Sequence, residues 1–254
     1  MSSAEMTAAT RAALAELLLS VADDEFVIGF WDSEWTGIAP MLEEDVAMSS
    51  ISQDEIGHAR ALYELLAQLT DDDADRIAFG RSADEFRHAA LMNHARSDWA
   101  FSIARRYLYE TADAVRLTAL ARSGYEPLAN LAAKMRREET YHLMHMDAWL
   151  RRLAAGAAHD RLAEALERAW MDAQTIFTPL AGESELLAAG ILDQPFEVLR
   201  RRWLERVEPV LGELGFTLTP AAVPADGRRM RTDEFRWLHR QFTMVSGSEV
   251  GASW

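Results

Sequence analysis

Apolar positions along the chain recur at intervals of three and four residues, and no stretch alternates with period two over a useful length. The pattern predicts helices throughout, with glycine and proline confined to a few breaks. A first helix is expected from about Thr7 to Trp35, stopped by Gly37 and Pro40 of "TGIAP". A second starts just after Pro40 and runs to about Leu69, closed by the acidic turn "TDDDAD". Residues 73–92 read as short, less regular helices. Two more long helices cover about Ala95–Arg122 and Pro127–Ala155, with "SGYEP" between them. A fifth spans about Arg161–Thr178, a short one lies near "ESELLAAG", and "QPFEVLRRRWLERVEPVLGELG" makes a sixth. From "FTLTPAAVPADG" onward the chain is proline-rich and then amphipathic, as expected of a tail that wraps the bundle.

Two long helices, a linker and two more long helices give an all-α four-helix bundle with one long crossover. Its core is expected over about residues 7–155, with additional helices and a tail over 156–254. A length of 254 residues with 49% hydrophobic content suffices for one large core, so a single domain over 1–254 is expected.

Against this pattern, polar residues on apolar faces stand out. In "QDEIGHARALY" (53–63) and the residues after it, Leu62, Leu65 and Leu66 mark the buried side, and Glu55 and His58 share it. "DEIGH" (54–58) has a near twin in "EETYH" (138–142), so Glu55 with His58 and Glu139 with His142 are both Glu-x-x-His. A spacing of three puts both side chains on one helix face, where they can chelate a metal ion while the carboxylate bridges to a second. One such pair arises easily by chance in a helical, Glu-rich chain; two on different helices do so far less often.

The helix before each pair offers another acid from its apolar side. Glu25 has Leu18, Val21, Ala22 and Ile28 at helical spacings around it, and Glu110 has Ile103, Tyr107, Ala114 and Leu117. Glu25 to Glu55 is 30 residues and Glu110 to Glu139 is 29, so two matched hairpins set the acids at one height. Glu25, Glu55, His58, Glu110, Glu139 and His142 are therefore the candidate catalytic and metal-ligating set. Four carboxylates and two imidazoles in this arrangement are the donors of a di-iron or di-manganese site in a ferritin-like bundle. Without cations, four carboxylates at one level of a core would be badly desolvated.

Asp54 and Glu138 lie four residues before His58 and His142, within reach of each ring's second nitrogen. Asp24 and Asp113 compete for the ligand positions of the first and third long helices. His88, His94, His145, His159 and His239 have no comparable partners in the sequence. Trp31, Trp35, Tyr107, Tyr109 and Tyr141 flank the site as core residues, with a radical or stacking role as the alternative.

A formal net charge of −15 argues against a nucleic-acid partner. Local basic clusters, "LRRRW" (199–203) and "GRRMR" (227–231), leave room for a small anion. The absence of cysteine excludes thiolate ligands and nucleophiles and is compatible with the cytoplasm. The N-terminus has no cationic region ahead of its apolar run, and no apolar stretch reaches the ~20 residues of a membrane span. A soluble, cytoplasmic protein is expected.

"EWTGIAPMLEEDVAMSSISQDEIGHARALY", "SIARRYLYETAD" and "EETYHLMHMDAWLRRL" resemble the paired A-type and C-type subunits of bacterial ring-1,2-phenylacetyl-CoA epoxidase, the multicomponent oxygenase of aerobic phenylacetate degradation. The likeness runs from about residue 15 to Trp254, and length and tail fit the C-type better than the longer A-type. "GRRMRTDEF" stands where the family has a basic Gly-Lys-Lys-Gly-like stretch, with Met230 in place of the second glycine. The resemblance implies a heteromeric complex with a homologous A-type partner, two irons or else manganese, and electrons from an NADPH-dependent reductase. It also implies an acyl-CoA substrate, phenylacetyl-CoA, whose ring is epoxidised. In that family the A-type holds the di-iron site, while the C-type shares the fold, has usually lost ligands and acts structurally. Here all six positions match. Beside membership of a di-iron oxygenase stand two alternatives: a non-catalytic scaffold, and a ferritin-like iron oxidase or store. Glutamates scattered or tied up by arginines in a dry interior would leave only a supporting bundle.

Overall fold

A computed structural model of the chain describes residues 6–219 and 222–248. Among the described residues the structure is all helical, a ferritin-like bundle with further helices around it. The four long helices are α1 (Ala8–Ser33), α2 (Leu42–Thr70), α4 (Trp99–Leu120) and α5 (Glu126–Ala154). The crossover between α2 and α4 carries α3 (Ala74–Phe79) and 3₁₀ turns at Ala83–Glu85 and Ala90–Asn93. After α5 come α6 (His159–Ala173), a 3₁₀ turn at Gln174–Phe177, α7 (Glu183–Ala188), α8 (Phe196–Glu213) and α9 (Asp233–Phe242).

The boundaries follow local chemistry. Thr7 caps α1 by accepting from the Thr10 amide at 3.1 Å. In the acidic turn after α2, Asp71 takes a left-handed conformation and returns its N–H to Ala67. α4 begins four residues later than the apolar pattern suggests, because Asp98 accepts from the Phe101 amide at 2.9 Å and Ser97 turns the chain with φ 60°. The fifth predicted helix stops at Ala173 and finishes as the 3₁₀ turn.

α1 packs on α2, α4 packs on α5, and these two antiparallel hairpins meet through buried polar contacts from α1 to α4 and from α2 to α5. α1 and α4 are wrapped on nearly all sides: every residue from Ser20 to Gly29, and from Ala100 to Asp113, is buried. α6 and α8 cover α4, while α7 and α9 cover α1. α2 and α5 form the outer layer and bury one stripe each. On α5 the stripe is Leu128, Ala132, Met135, Glu139, His142, Met146 and Trp149. On α2 it includes Met48, Ile51, Glu55, His58, Leu62, Leu65 and Leu69. Both stripes step by three and four, and each has an acid and an imidazole at its middle.

The tail folds back over α1. Phe242 packs on Phe26 with ring centroids 5.0 Å apart, and Trp237 stacks on Trp31 at 6.0 Å. Two of the three "GRRMR" arginines are engaged internally, while Arg229 stays exposed. Arg228 is buried against Asp24 at 3.0 Å, and Arg231 donates to the backbone carbonyls of Phe86 and Arg228. No helix among the described residues is long and apolar enough to cross a membrane.

Candidate metal centre

The six predicted donors converge. Glu25 comes from α1, Glu55 and His58 from α2, Glu110 from α4, and Glu139 and His142 from α5, and all are buried. They form two overlapping groups, Glu25, Glu55, His58 and Glu139, and Glu55, Glu110, Glu139 and His142. Within each group one potential ligand atom per residue lies within 4.8 Å of the others. Glu55 and Glu139 belong to both.

Both histidines present Nδ1 to this centre. His58 Nδ1 lies 3.4 Å from Glu25 and 3.2 Å from Glu139; His142 Nδ1 lies 3.3 Å from both Glu55 and Glu139. The Nε2 atoms point outward to carboxylates, but not to those on their own helices. His58 pairs with Glu138 of α5 at 2.8 Å, and His142 with Asp54 of α2 at 3.2 Å. The expected partners are thus exchanged. α2 and α5 run antiparallel with their stripes facing, so an acid one turn before a histidine meets the ring across the interface rather than along its own helix.

Five buried atoms of the set make no well-directed hydrogen bond: Glu55 Oε2, Glu110 Oε2, both oxygens of Glu139 and His142 Nδ1. Buried polar atoms are ordinarily paired. Oxygen and imidazole donors grouped around a common centre without well-directed hydrogen bonds fit hard or borderline divalent metals such as iron or manganese.

Burial and mutual charge shift the proton affinities within the set. Burial raises Glu25, and the charges of Glu55 and Asp113 with a hydrogen bond to Glu55 raise it further, well above the usual carboxylate range. Glu110 is likewise raised by burial, only partly opposed by Arg106, with Glu139 adding to the rise. Burial and the Glu139 charge would raise Glu55, but Arg106 and the close approach of Glu25 and His142 hold it at about 2. Glu139 is held low against its burial by the close approach of His142, His58 and Glu110. Burial alone would lower both imidazoles; their carboxylate neighbours override it, pushing His58 up to about 12 and His142 up to about 10.

Arginines reach part of the set, a feature that sequence reasoning missed. Arg106 Nη2 donates to Oε1 of Glu55 at 2.7 Å and to Oε1 of Glu110. Arg116 lies 3.5 Å from Glu25 Oε1, which also accepts from the Tyr109 hydroxyl at 2.6 Å. Among the described residues Glu139 has no arginine in contact. A signal was available: "ARRYLYE" (104–110) sets two arginines inside an apolar helix stretch. Asp24 and Asp113, the competing acids, are turned away and held by Arg116, at 2.5 Å each, with Arg228 also on Asp24.

The remaining candidates are dispersed. His94 and His145 do have single acidic partners, Asp172 at 2.7 Å and Glu44 at 2.8 Å, while His88 bonds Asn93 and His239 a backbone carbonyl. His159 lies beside Asp160 at 3.4 Å. Of the flanking aromatics, Tyr109 touches the set; Trp31 and Trp35 donate to Met92 O and Ser102 Oγ, Tyr107 is core, and Tyr141 is 73% exposed.

An all-α, ferritin-like bundle with four carboxylates and two imidazoles facing one another across its core defines a protein whose interior can hold metal ions. Comparison with known sequences gives the lineage. The chain belongs to the phenylacetic acid catabolic protein family, whose sequence pattern matches residues 1–254. It is 30% identical over 188 residues to the C-type subunit of 1,2-phenylacetyl-CoA epoxidase from Escherichia coli (strain K12), an alignment covering 73% of this chain and 75% of that protein. The A-type subunit of the same organism's epoxidase is 27% identical over 196 residues, covering 74% of this chain and 62% of that relative.

Proposed function

We propose that the chain is a subunit of a multicomponent di-iron oxygenase that epoxidises the aromatic ring of phenylacetyl-CoA in phenylacetate catabolism. One observation carries this reading: six donors meet in two groups that share Glu55 and Glu139, with five of their buried atoms making no well-directed hydrogen bond. The family and the names of its relatives supply the substrate class. Glu25, Glu55, His58 and Glu139 would hold one ion, and Glu55, Glu110, Glu139 and His142 the other. A reduced di-iron pair, when bound, supplies dioxygen activation. The protein contributes a buried site that excludes water, carboxylates that fix the orientation of both rings, and a Tyr109 hydroxyl that donates to Glu25. Electrons come from a partner reductase, and a homologous A-type partner completes the complex.

A second reading, a supporting subunit without metal, is favoured by the ion pairs of Arg106 with Glu55 and Glu110, which already neutralise part of the set. Elemental analysis after anaerobic reconstitution with Fe(II) separates the two. About two irons per chain, lost in Glu55→Ala/Glu139→Ala while helicity is retained, supports the oxygenase centre; no iron in the wild type supports the scaffold.

A further inference from the structure

The two halves of the donor set are unequal. Arg106 lies on α4 one turn before Glu110 and contacts one acid common to both halves, Glu55, and one that belongs only to the half with His142, Glu110. Its Nη2 is shared by Oε1 of Glu55 and Oε1 of Glu110, and its Nη1 lies 3.4 Å from Asp32. The side chain is fully buried, so solvent does not screen its charge. In the half made by Glu25, Glu55, His58 and Glu139, the acid not shared with the other half and not contacted by Arg106 is Glu25, which meets Arg116 at the longer distance of 3.5 Å from Oε1. That oxygen is already engaged by Tyr109, while Oε2 faces His58. A cation entering the first half shares one acid, Glu55, with Arg106; one entering the second must share both Glu55 and Glu110 with that fixed positive charge.

We propose that Arg106 is a built-in counter-ion that makes metal loading sequential, the Glu25–His58 half filling first and the Glu110–His142 half filling weakly. This rests on the metal-centre reading above and adds an order to it. Arg106 holds Glu55 and Glu110 and must give up those contacts before the second ion binds. The chain therefore passes through a stable state with one metal.

The test is Mn(II) titration of the metal-free full-length chain, with free Mn(II) read from its six-line electron paramagnetic resonance signal. The wild type is expected to bind one Mn(II) tightly and a second at least about tenfold more weakly, given a fixed like charge in a buried site. Arg106→Met, which removes the charge, should strengthen the second step by at least about tenfold, whereas Arg106→Lys should preserve the interval. His142→Ala should keep the tight step and His58→Ala should lose it, an assignment that holds even if Arg106→Met does not fold. Two equal steps in the wild type, an unchanged weak step in folded Arg106→Met, or loss of the tight step in His142→Ala would overturn the order of loading. Absence of Mn(II) binding in every form would instead remove the metal centre itself, and the order with it.

Discussion

At the scale of single residues, the exchange of histidine partners across the α2–α5 interface matters most. Glu138 and Asp54 are part-exposed, yet each fixes a buried ring by its outward nitrogen, so that Nδ1 faces the centre. Removing such a partner typically costs 10–100-fold in metal affinity. Asp54→Asn and Glu138→Gln are each expected to weaken Mn(II) binding by about that factor without loss of fold; affinity equal to the wild type would show these partners idle. Proton occupancy sets a second expectation. His58 is raised to about 12 and His142 to about 10, so both imidazoles carry a second proton at pH 7, and Glu25 and Glu110 hold a proton more tightly than ordinary carboxylates. Bound metal displaces these protons. Affinity should therefore rise with pH and fall with acid, with protons released on binding; calorimetry in buffers of different ionisation enthalpy measures the number.

At the scale of the element, the centre depends on how closely helices approach. Gly29 lies one turn after Glu25 on α1, and a Cβ there would meet Glu55 Cβ at 3.0 Å, Ile56 Cγ1 at 3.0 Å and the Ser52 carbonyl at 3.2 Å. Gly29 thus lets α1 lie against the ligand turn of α2. Gly29→Ala is expected to cost about 1–3 kcal/mol, the usual range for overpacking, and to lower metal affinity by pushing Glu25 and Glu55 apart. Urea unfolding and Mn(II) titration on the same sample check both; a neutral result would mean the helices have slack here. The Asp98 cap at the start of α4 is farther from the centre, and its loss in Asp98→Ala should cost about 1 kcal/mol of stability with metal affinity unchanged.

Across the whole molecule, buried charge ties the tail to the core. Arg228 donates to Asp24 of α1 and to the carbonyls of Arg87 and Ile176, joining the tail, the first helix, the crossover and the segment after α6. Arg116 holds the same aspartate from α4, with burial opposing both arginines' pull; the net effect keeps Asp24 below the ordinary aspartate range. Arg228→Met removes one partner of a buried pair, expected to cost about 3 kcal/mol and to expose residues 222–248 to protease. Unchanged protease resistance would show that the aromatic contacts of α9 suffice to hold the tail.

The sequence by itself determined the helices and the six donors. Its three-and-four spacing marks the faces of α2 and α5, and a Glu and a His interrupt each face at the same step. Local chemistry also fixed most helix ends, though the apolar pattern ran past the Asp98 cap of α4 because Ala95 and its neighbours are buried or half-buried without being helical. What only the tertiary structure decided lies between helices. Which carboxylate meets which ring depends on the antiparallel register of α2 against α5, a long-range relation that spacing along one helix does not encode. The same holds for Arg106 and Arg116. An arginine in a helix ordinarily reaches solvent, and these two are buried because α6, α8 and the neighbouring long helices close around α4, leaving acids as their partners.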